Sequence, residues 1–207
     1  VLPQPVAALR EAYPKVNISL HQGAPDQVAQ MLLQDVAEIG IATESLAAYE
    51  DLVTLPCYEW QHVLVLPPDH ALAGKPRLTL EDIAEHPLIT YHPSFTGRTR
   101  IDNAFAARKL QPRIALEAID SDVIKTYVRL GLGVGIVAEM AVKDDPVQDL
   151  AVRPLGPLLG MNVARVAFKR GAYLRHFVYQ FAELLSDRLS AKLVAKAMAG
   201  QFNDYEL

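Results

Sequence analysis

The alternation of apolar and polar positions in residues 121–142 predicts a helix followed by a buried strand. Ser121 is a suitable N-cap, because its hydroxyl can accept a hydrogen bond from a backbone N–H of the first turn. Apolar residues then recur with helical spacing at Val123, Tyr127 and Leu130, with Ile124 and Val128 beside them. Gly131 permits the left-handed conformation that ends many helices. The apolar run 134–138 is typical of a strand that is covered on both faces.

A similar pattern extends along the whole chain as an alternation of helices and short strands. We expect helices at 3–13, 25–34, 97–109, 173–186 and 188–200, and strands at 16–22, 38–42, 87–91, 113–118, 150–153 and 163–168. Thr79 and Asp82 have the spacing of a capping box, which predicts one further helix start. This alternation predicts an α/β fold with a largely parallel sheet and helices on both faces. Because an α/β chain rarely opens on a helix, we also expect a strand before Val1.

Two breaks in the pattern divide the chain into two predicted Rossmann-like lobes. Residues 52–66 form a long extended stretch that is interrupted at Pro56, and residues 156–160 are rich in glycine and proline. The chain is expected to leave the first lobe at one break and to return to it at the other. Two lobes joined by two crossings, with a central cleft, is the architecture of type 2 periplasmic binding proteins, which can hinge around a ligand. The predicted division is 1–56 plus 159–207 for lobe I and 57–158 for lobe II.

Composition and charge narrow the classes of protein. Hydrophobic residues make up 51% of the 207 residues and charged residues 21%, which is usual for a folded globular protein. The net charge of −4 disfavours non-specific nucleic-acid binding by this chain. No apolar run approaches the roughly 20 residues of a membrane span, so no membrane association is expected. The single cysteine, Cys57, has no partner for an internal disulfide, which favours a reducing compartment such as the cytoplasm.

Small polar residues at the joints between strands and helices are the candidate ligand-binding residues. They are Gln22, Thr43, Thr96, Gly97, Arg98 and Ser121. If the strands are parallel, these joints lie at one edge of the sheet, where α/β proteins bind ligands. The helix predicted at 97–109 would offer N–H groups and a partial positive charge to an anion, and Arg98 could add a charge-assisted bond. The alternative is that Thr96 and Ser121 only cap their helices.

Other kinds of chemistry find little support in the sequence. Gly131, Gly133 and Gly135 follow a helix and precede a strand, which is the reverse of the order in a dinucleotide-binding fingerprint. The six histidines lack the paired helical spacing of metal ligands, and no nucleophile–base pair is recognisable. Cys57 lies among apolar residues, which favours a buried structural thiol. We therefore expect no metal, no cofactor and no enzymatic activity.

Five segments resemble one family of transcription factors. They are residues 40–44, 56–60, 88–91, 95–98 and 120–128. Their sequences are similar to the effector-binding domain of LysR-type transcriptional regulators of the CysB/Cbl subgroup, over essentially the whole chain. The resemblance implies control of sulfur assimilation and cysteine biosynthesis, with a DNA-binding winged helix-turn-helix domain before Val1. It also implies that Thr43 and Thr96 belong to an anion site, that this domain dimerises, and that the full-length protein is a tetramer.

The resemblance leaves the effector open among several small anions. The candidates are sulfate, N-acetylserine, O-acetylserine and adenosine phosphosulfate. A second hypothesis is an exported solute-binding protein of a transporter for a small anion, which would share the fold and the cleft. A signal peptide upstream would favour the transport protein, whereas a helix-turn-helix would favour the regulator.

Overall fold

The computed structural model describes residues 2–95, 97–143 and 149–201. Helices and strands alternate within them, as the sequence predicts. In chain order they are α1 (Pro3–Ala12), α2 (Pro25–Leu33), β1 (Gly40–Thr43), a 3₁₀ helix (Glu44–Ala48), β2 (Leu52–Leu66), α3 (Leu80–Ala84), β3 (Leu88–Tyr91), α4 (Arg98–Ala107), β4 (Ile114–Ala118), α5 (Ser121–Arg129), β5 (Val134–Ala138), α6 (Met140–Lys143), β6 (Ala151–Pro154), α7 (Gly156–Leu159), β7 (Met161–Lys169), α8 (His176–Leu185) and α9 (Ala191–Met198).

The chain divides into two compact units. Unit 1 consists of Val1–Glu59 and Val163–Leu207, and unit 2 consists of Trp60–Asn162. The chain therefore passes from unit 1 to unit 2 within β2 and returns within β7. The lobe boundaries expected from the sequence lie a few residues earlier in the chain, and they stay a prediction, as does the domain expected before Val1.

Unit 1 is built on a sheet with helices on both faces. Strand β1 pairs antiparallel with β7, and β7 lies beside the first part of β2. Helices α1, α8 and α9 cover one face, where their apolar side chains pack around Leu55, Val166 and Phe168. Helix α2 covers the other face, where Leu32 packs with Ala167. Because successive residues of a strand point to opposite faces, Val166 and Phe168 of β7 pack under α1, α8 and α9, whereas Ala167 packs under α2.

Unit 2 has the same layered arrangement. Strand β3 pairs parallel with β4 and β5, whereas β2 pairs antiparallel with β5 and β6. The second part of β2 alternates between the two faces of this sheet. Leu64 and Leu66 pack with residues of α3 and α4, while Val63 and Val65 pack with residues of α5. Burial on both faces explains why this part of β2 is apolar at every position from 63 to 66.

Two predictions about the sheets are wrong. The segment 16–22 is not a strand, and it runs without regular structure between α1 and α2. A strand requires hydrogen bonds to a neighbouring strand, and none of the described strands pairs with this segment. The sheet is also mixed rather than largely parallel, because the long crossing strand β2 runs antiparallel to β5.

The start and the buried face of α5 also differ from the prediction. The N-cap is Asp120 rather than Ser121, since the Asp120 carboxylate accepts hydrogen bonds from the backbone N–H groups of Asp122 and Val123, both at 2.9 Å. The buried residues of the helix are Ile124, Lys125 and Val128. Of the apolar residues predicted to form one face, Ile124 and Val128 are buried as expected, whereas Val123, Tyr127 and Leu130 are exposed. Among the residues that the structure describes, none of the helices combines the length and the hydropathy of a membrane span.

Candidate functional site

The carboxyl ends of β3 and β5 and the start of α5 meet at one edge of the sheet of unit 2. Tyr91, the last residue of β3, joins them through its hydroxyl group. This hydroxyl lies 2.6 Å from the Ser121 hydroxyl and accepts a hydrogen bond from the backbone N–H of Ala138 at 3.1 Å. Burial raises the pKa of Tyr91 above its ordinary value, so the phenol stays neutral. Ser121 is therefore placed at this edge by Tyr91 and not by a capping role.

The start of α4 lies at the same edge, close after β3. Gly97 precedes the helix with a φ of +82°, a left-handed conformation that glycine adopts without steric cost. A Cβ atom at this position would lie 2.5 Å from His62 Nε2, so the site has no room for a side chain. The backbone N–H of Arg98 donates to Phe95 O at 3.3 Å. Thr96, the remaining predicted residue here, lies outside the described residues.

The side chain of Arg98 is buried and already has three partners. Its Nη1 donates to Tyr91 O at 2.7 Å and to Glu117 at 2.8 Å, and its Nε donates to Asp102 at 2.8 Å. Burial alone would lower the pKa of Arg98, but the hydrogen bonds that it donates to Asp102 and Glu117 raise its pKa overall, so the group stays charged. The guanidinium thus ties α4 to β3 and β4. One cation beside two carboxylates leaves no surplus positive charge within this group.

The predicted residues of unit 1 lie at the end of β1 and before α2. Thr43 is the last residue of β1 and is buried, with its hydroxyl 3.1 Å from the Ser45 hydroxyl. Gln22 is exposed in the irregular segment that precedes α2. The start of α2 is capped by Gln27, whose Oε1 accepts from the backbone N–H of Ala24 at 2.8 Å. Thr43 therefore has a buried hydroxyl that is held by a polar neighbour, whereas the side chain of Gln22 is exposed.

A cavity of about 360 Å³ lies elsewhere in unit 1. Its walls are the segment 16–21, the outer edge of β1, and side chains of α1, α2 and α8. The lining is largely apolar, with Leu9, Ile18 and Phe181 among its residues. None of the predicted site residues that the structure describes takes part in it. Its mostly apolar lining offers few hydrogen-bond donors to a small anion.

Sequence reasoning missed His62, which lies in β2 behind Gly97. The residue is fully buried, and its ring meets the Trp60 ring edge-on with 4.9 Å between the centroids. The one available signal was a histidine directly before the apolar run 63–66. Within the described ranges, no group of three or more histidine, cysteine, aspartate or glutamate side chains is placed to hold a metal ion.

Comparison with known proteins shows similarity to one family of transcriptional regulators. A family model described as the LysR substrate binding domain matches residues 1–190. The transcriptional regulator CysB of Burkholderia cenocepacia is 50% identical over 206 residues, which cover 100% of this chain and 66% of that protein. The regulator Cbl of Escherichia coli is 44% identical over 191 residues, or 92% of this chain and 60% of that protein. The chain thus spans less than two thirds of the length of these two relatives.

A solved structure, the cofactor-binding domain of the Cbl transcriptional regulator, shares the fold. It is 43% identical, with a TM-score of 0.90 over 95% of this chain and 86% of that chain. This match confirms the predicted α/β fold of the type seen in LysR effector-binding domains, which is similar to that of type 2 periplasmic binding proteins. The two relatives named above are transcriptional regulators, in agreement with the expectation that the chain is not an enzyme.

Proposed function

The chain belongs to the LysR substrate-binding domain family, and on this premise we propose that it senses a small anion for a regulator of sulfur assimilation. The relatives CysB and Cbl support this choice, since both are HTH-type transcriptional regulators. In the longer protein, a helix-turn-helix domain would bind DNA, and the whole would act as a homo-oligomer in the cytoplasm. These same names favour a regulator over the exported solute-binding protein.

The observation that carries the proposal is the start of α4. A helix of this length offers several first-turn N–H groups and the equivalent of about half a positive charge to an anion. At Gly97 the space that a Cβ atom would take is filled by His62 and Trp60, so a ligand would reach this helix start from the opposite side of the backbone. We propose that amides of this first turn bind the effector in unit 2, where Ser121 lies at the same edge as α4, and that the Thr43 hydroxyl is an anion ligand of unit 1.

The ligand groups in this proposal are neutral. Arg98, the first residue of α4, has its charge balanced by Asp102 and Glu117. Neutral donors would therefore hold the anion through hydrogen bonds and, at the start of α4, through the helix dipole. Such a site suits sulfate, an acetylserine carboxylate or the phosphosulfate of an adenosine derivative. Binding through neutral donors should depend less on salt concentration than binding through exposed lysines.

Isothermal titration calorimetry tests this proposal directly. The ligands are sulfate, N-acetylserine, O-acetylserine and adenosine phosphosulfate, each titrated into the chain. We expect saturable binding of at least one, and a loss of about 1.5–3 kcal/mol in Thr43→Val, which removes one hydrogen bond to a charged ligand. Thr126→Val is the matched control, because the Thr126 hydroxyl donates to Asp122 O within its own helix. Absence of binding for all four ligands would overturn the proposal.

A further inference from the structure

Behind the start of α4, unit 2 contains a buried chain of hydrogen bonds that runs from Arg100 through Asn162 to His62. Asn162 is the last residue of unit 2 and is almost completely buried. We propose that Arg100 and Asn162 hold His62 in a single tautomer, and that His62 is the positioning residue that fixes Gly97 and the first turn of α4. The consequence for ligand binding rests on the proposed function, whereas the tautomer and the position of Gly97 do not.

The orientation of the Asn162 amide follows from its partners. Arg100 Nε donates to Asn162 Oδ1 at 3.1 Å, and an arginine can only donate, so the amide oxygen must face Arg100. The amide nitrogen of Asn162 then faces Trp60 O at 3.5 Å and His62 Nδ1 at 3.3 Å. Because an NH₂ group has no acceptor, it donates to His62 Nδ1.

This network assigns the tautomer of His62. With Nδ1 accepting a hydrogen bond, the neutral ring carries its proton on Nε2. A proton on Nδ1 would meet the N–H of Asn162 and would break the chain of hydrogen bonds. Since Asn162 is itself held by Arg100, which is part of α4, the ring cannot be turned over without moving the helix or breaking that contact.

The Nε2 side of the ring lies directly against Gly97. A Cβ atom at position 97 would stand 2.5 Å from Nε2 and 2.7 Å from Cε1 of His62, with the Trp60 ring at 3.1 Å. The imidazole therefore sets how closely the backbone before α4 approaches β2. The ring contacts the first turn of α4 at two points. It packs directly against Gly97, and it is linked through Asn162 to Arg100 of the helix. A change in the ring would shift the first-turn amides, which are the proposed anion ligands.

Three substitutions separate positioning from general packing. His62→Gln places a side-chain NH₂ near the position of Nε2 and should preserve the contact with Gly97. His62→Asn places its amide near the position of Nδ1 and should lose that contact. Asn162→Asp keeps an oxygen for Arg100 but offers His62 Nδ1 an acceptor, so the ring proton should move to Nδ1. His176→Gln, at an exposed histidine of unit 1, is the control.

The first measurement is nuclear magnetic resonance of the chain labelled with nitrogen-15. Long-range correlations should show the Nε2–H tautomer of His62 in the wild type and the Nδ1–H form, or the doubly protonated ring, in Asn162→Asp. The Gly97 and Arg98 amide resonances should shift in Asn162→Asp and His62→Asn but stay near their original positions in His62→Gln and His176→Gln. An Nδ1–H tautomer in the wild type would overturn the proposal, as would unmoved Gly97 and Arg98 resonances in Asn162→Asp.

The second measurement is sulfate affinity by calorimetry on the same proteins. We expect about a ten-fold loss in Asn162→Asp and His62→Asn, the scale typical of groups that orient ligand-binding residues, and near wild-type affinity in His62→Gln. Equal losses in His62→Gln and His62→Asn would show that the ring acts by bulk alone, against the proposal. If wild-type protein binds no sulfate while the resonances behave as expected, the proposed ligand is wrong and the positioning of Gly97 stands.

Discussion

Replacing Arg98 by methionine separates a role in the scaffold from a role in binding. Methionine keeps most of the apolar stem but removes the guanidinium, whose side chain is only 8% exposed. The change removes a charge-assisted hydrogen bond to Tyr91 O, which is buried, and such a bond contributes about 1.5–3 kcal/mol. It also removes ion pairs with Asp102 and Glu117, which are 49% and 37% exposed. Each of these pairs contributes about 0.2–1 kcal/mol, because solvent screens them.

We therefore expect Arg98→Met to lower the free energy of unfolding by about 2–5 kcal/mol. Urea denaturation followed by circular dichroism measures this change. Arg108→Met is the matched control, since Arg108 pairs with Glu81 at 3.2 Å and both side chains are 50% exposed. The control should change stability by less than about 0.5 kcal/mol. The reasoning is refuted if Arg98→Met is as stable as Arg108→Met and has lost sulfate binding. The guanidinium would then bind the ligand and would not stabilise the fold.

Three further predictions concern single side chains. Asp120→Ala should lower the melting temperature through the loss of about 1 kcal/mol of capping, whereas Asp120→Ser, whose hydroxyl can still cap the helix, should keep most of it, and equal effects would contradict the assignment of Asp120 as the cap. Burial raises the pKa of Cys57 to about 11, so a thiol reagent should label it at pH 8 only in denaturant, and rapid native labelling would contradict this. Burial and the neighbouring His86 lower the pKa of His70, so stability should fall as the pH drops below the unfolded value of about 6.5 and through the lower folded pKa. Urea titrations of His70→Asn should show a free energy of unfolding that depends less on pH below about 6.5 than in the wild type. An unchanged pH dependence would contradict the role given to His70.

Local patterns predicted those elements that local chemistry determines. Thr79 accepts from the Asp82 backbone N–H at 3.2 Å, and the Asp82 carboxylate accepts from the Thr79 backbone N–H at 3.0 Å, which is the capping box expected from their spacing. The bounds of helix α5 and strand β5 also lie close to the predicted ones. Both features depend on residues that are near one another in the chain, so the sequence alone contains the needed information.

Features that depend on distant residues were not predictable in the same way. The segment 16–22 has the composition of a strand, but strand formation also needs a hydrogen-bonding neighbour. Helix α5 presents two overlapping apolar faces, and packing selected the one that contains Ile124 and Val128. Lys125 is buried with this face because its Nζ reaches Ala141 O at 3.0 Å and Asp122 at 2.9 Å. No helical periodicity indicates such a contact.

The candidate site shows the same division. Glycine before a predicted helix correctly placed the start of α4 at Gly97. The role of Arg98 depended on Glu117, which is distant in sequence and is reached only after β4 has paired with β3. The buried His62 and Asn162 are a hundred residues apart, and only the fold brings them together.

The most direct test of the central claim is a nuclear magnetic resonance titration of the labelled chain with sulfate and with the acetylserines. If the chain senses a small anion as proposed, saturable shifts should concentrate at the amides of Thr43 and Ser45 and at those of Gly97, Arg98 and Thr99. Shifts that concentrate instead on the apolar cavity of unit 1, at Leu9, Ile18 and Phe181, would contradict the account, as would the absence of saturable shifts.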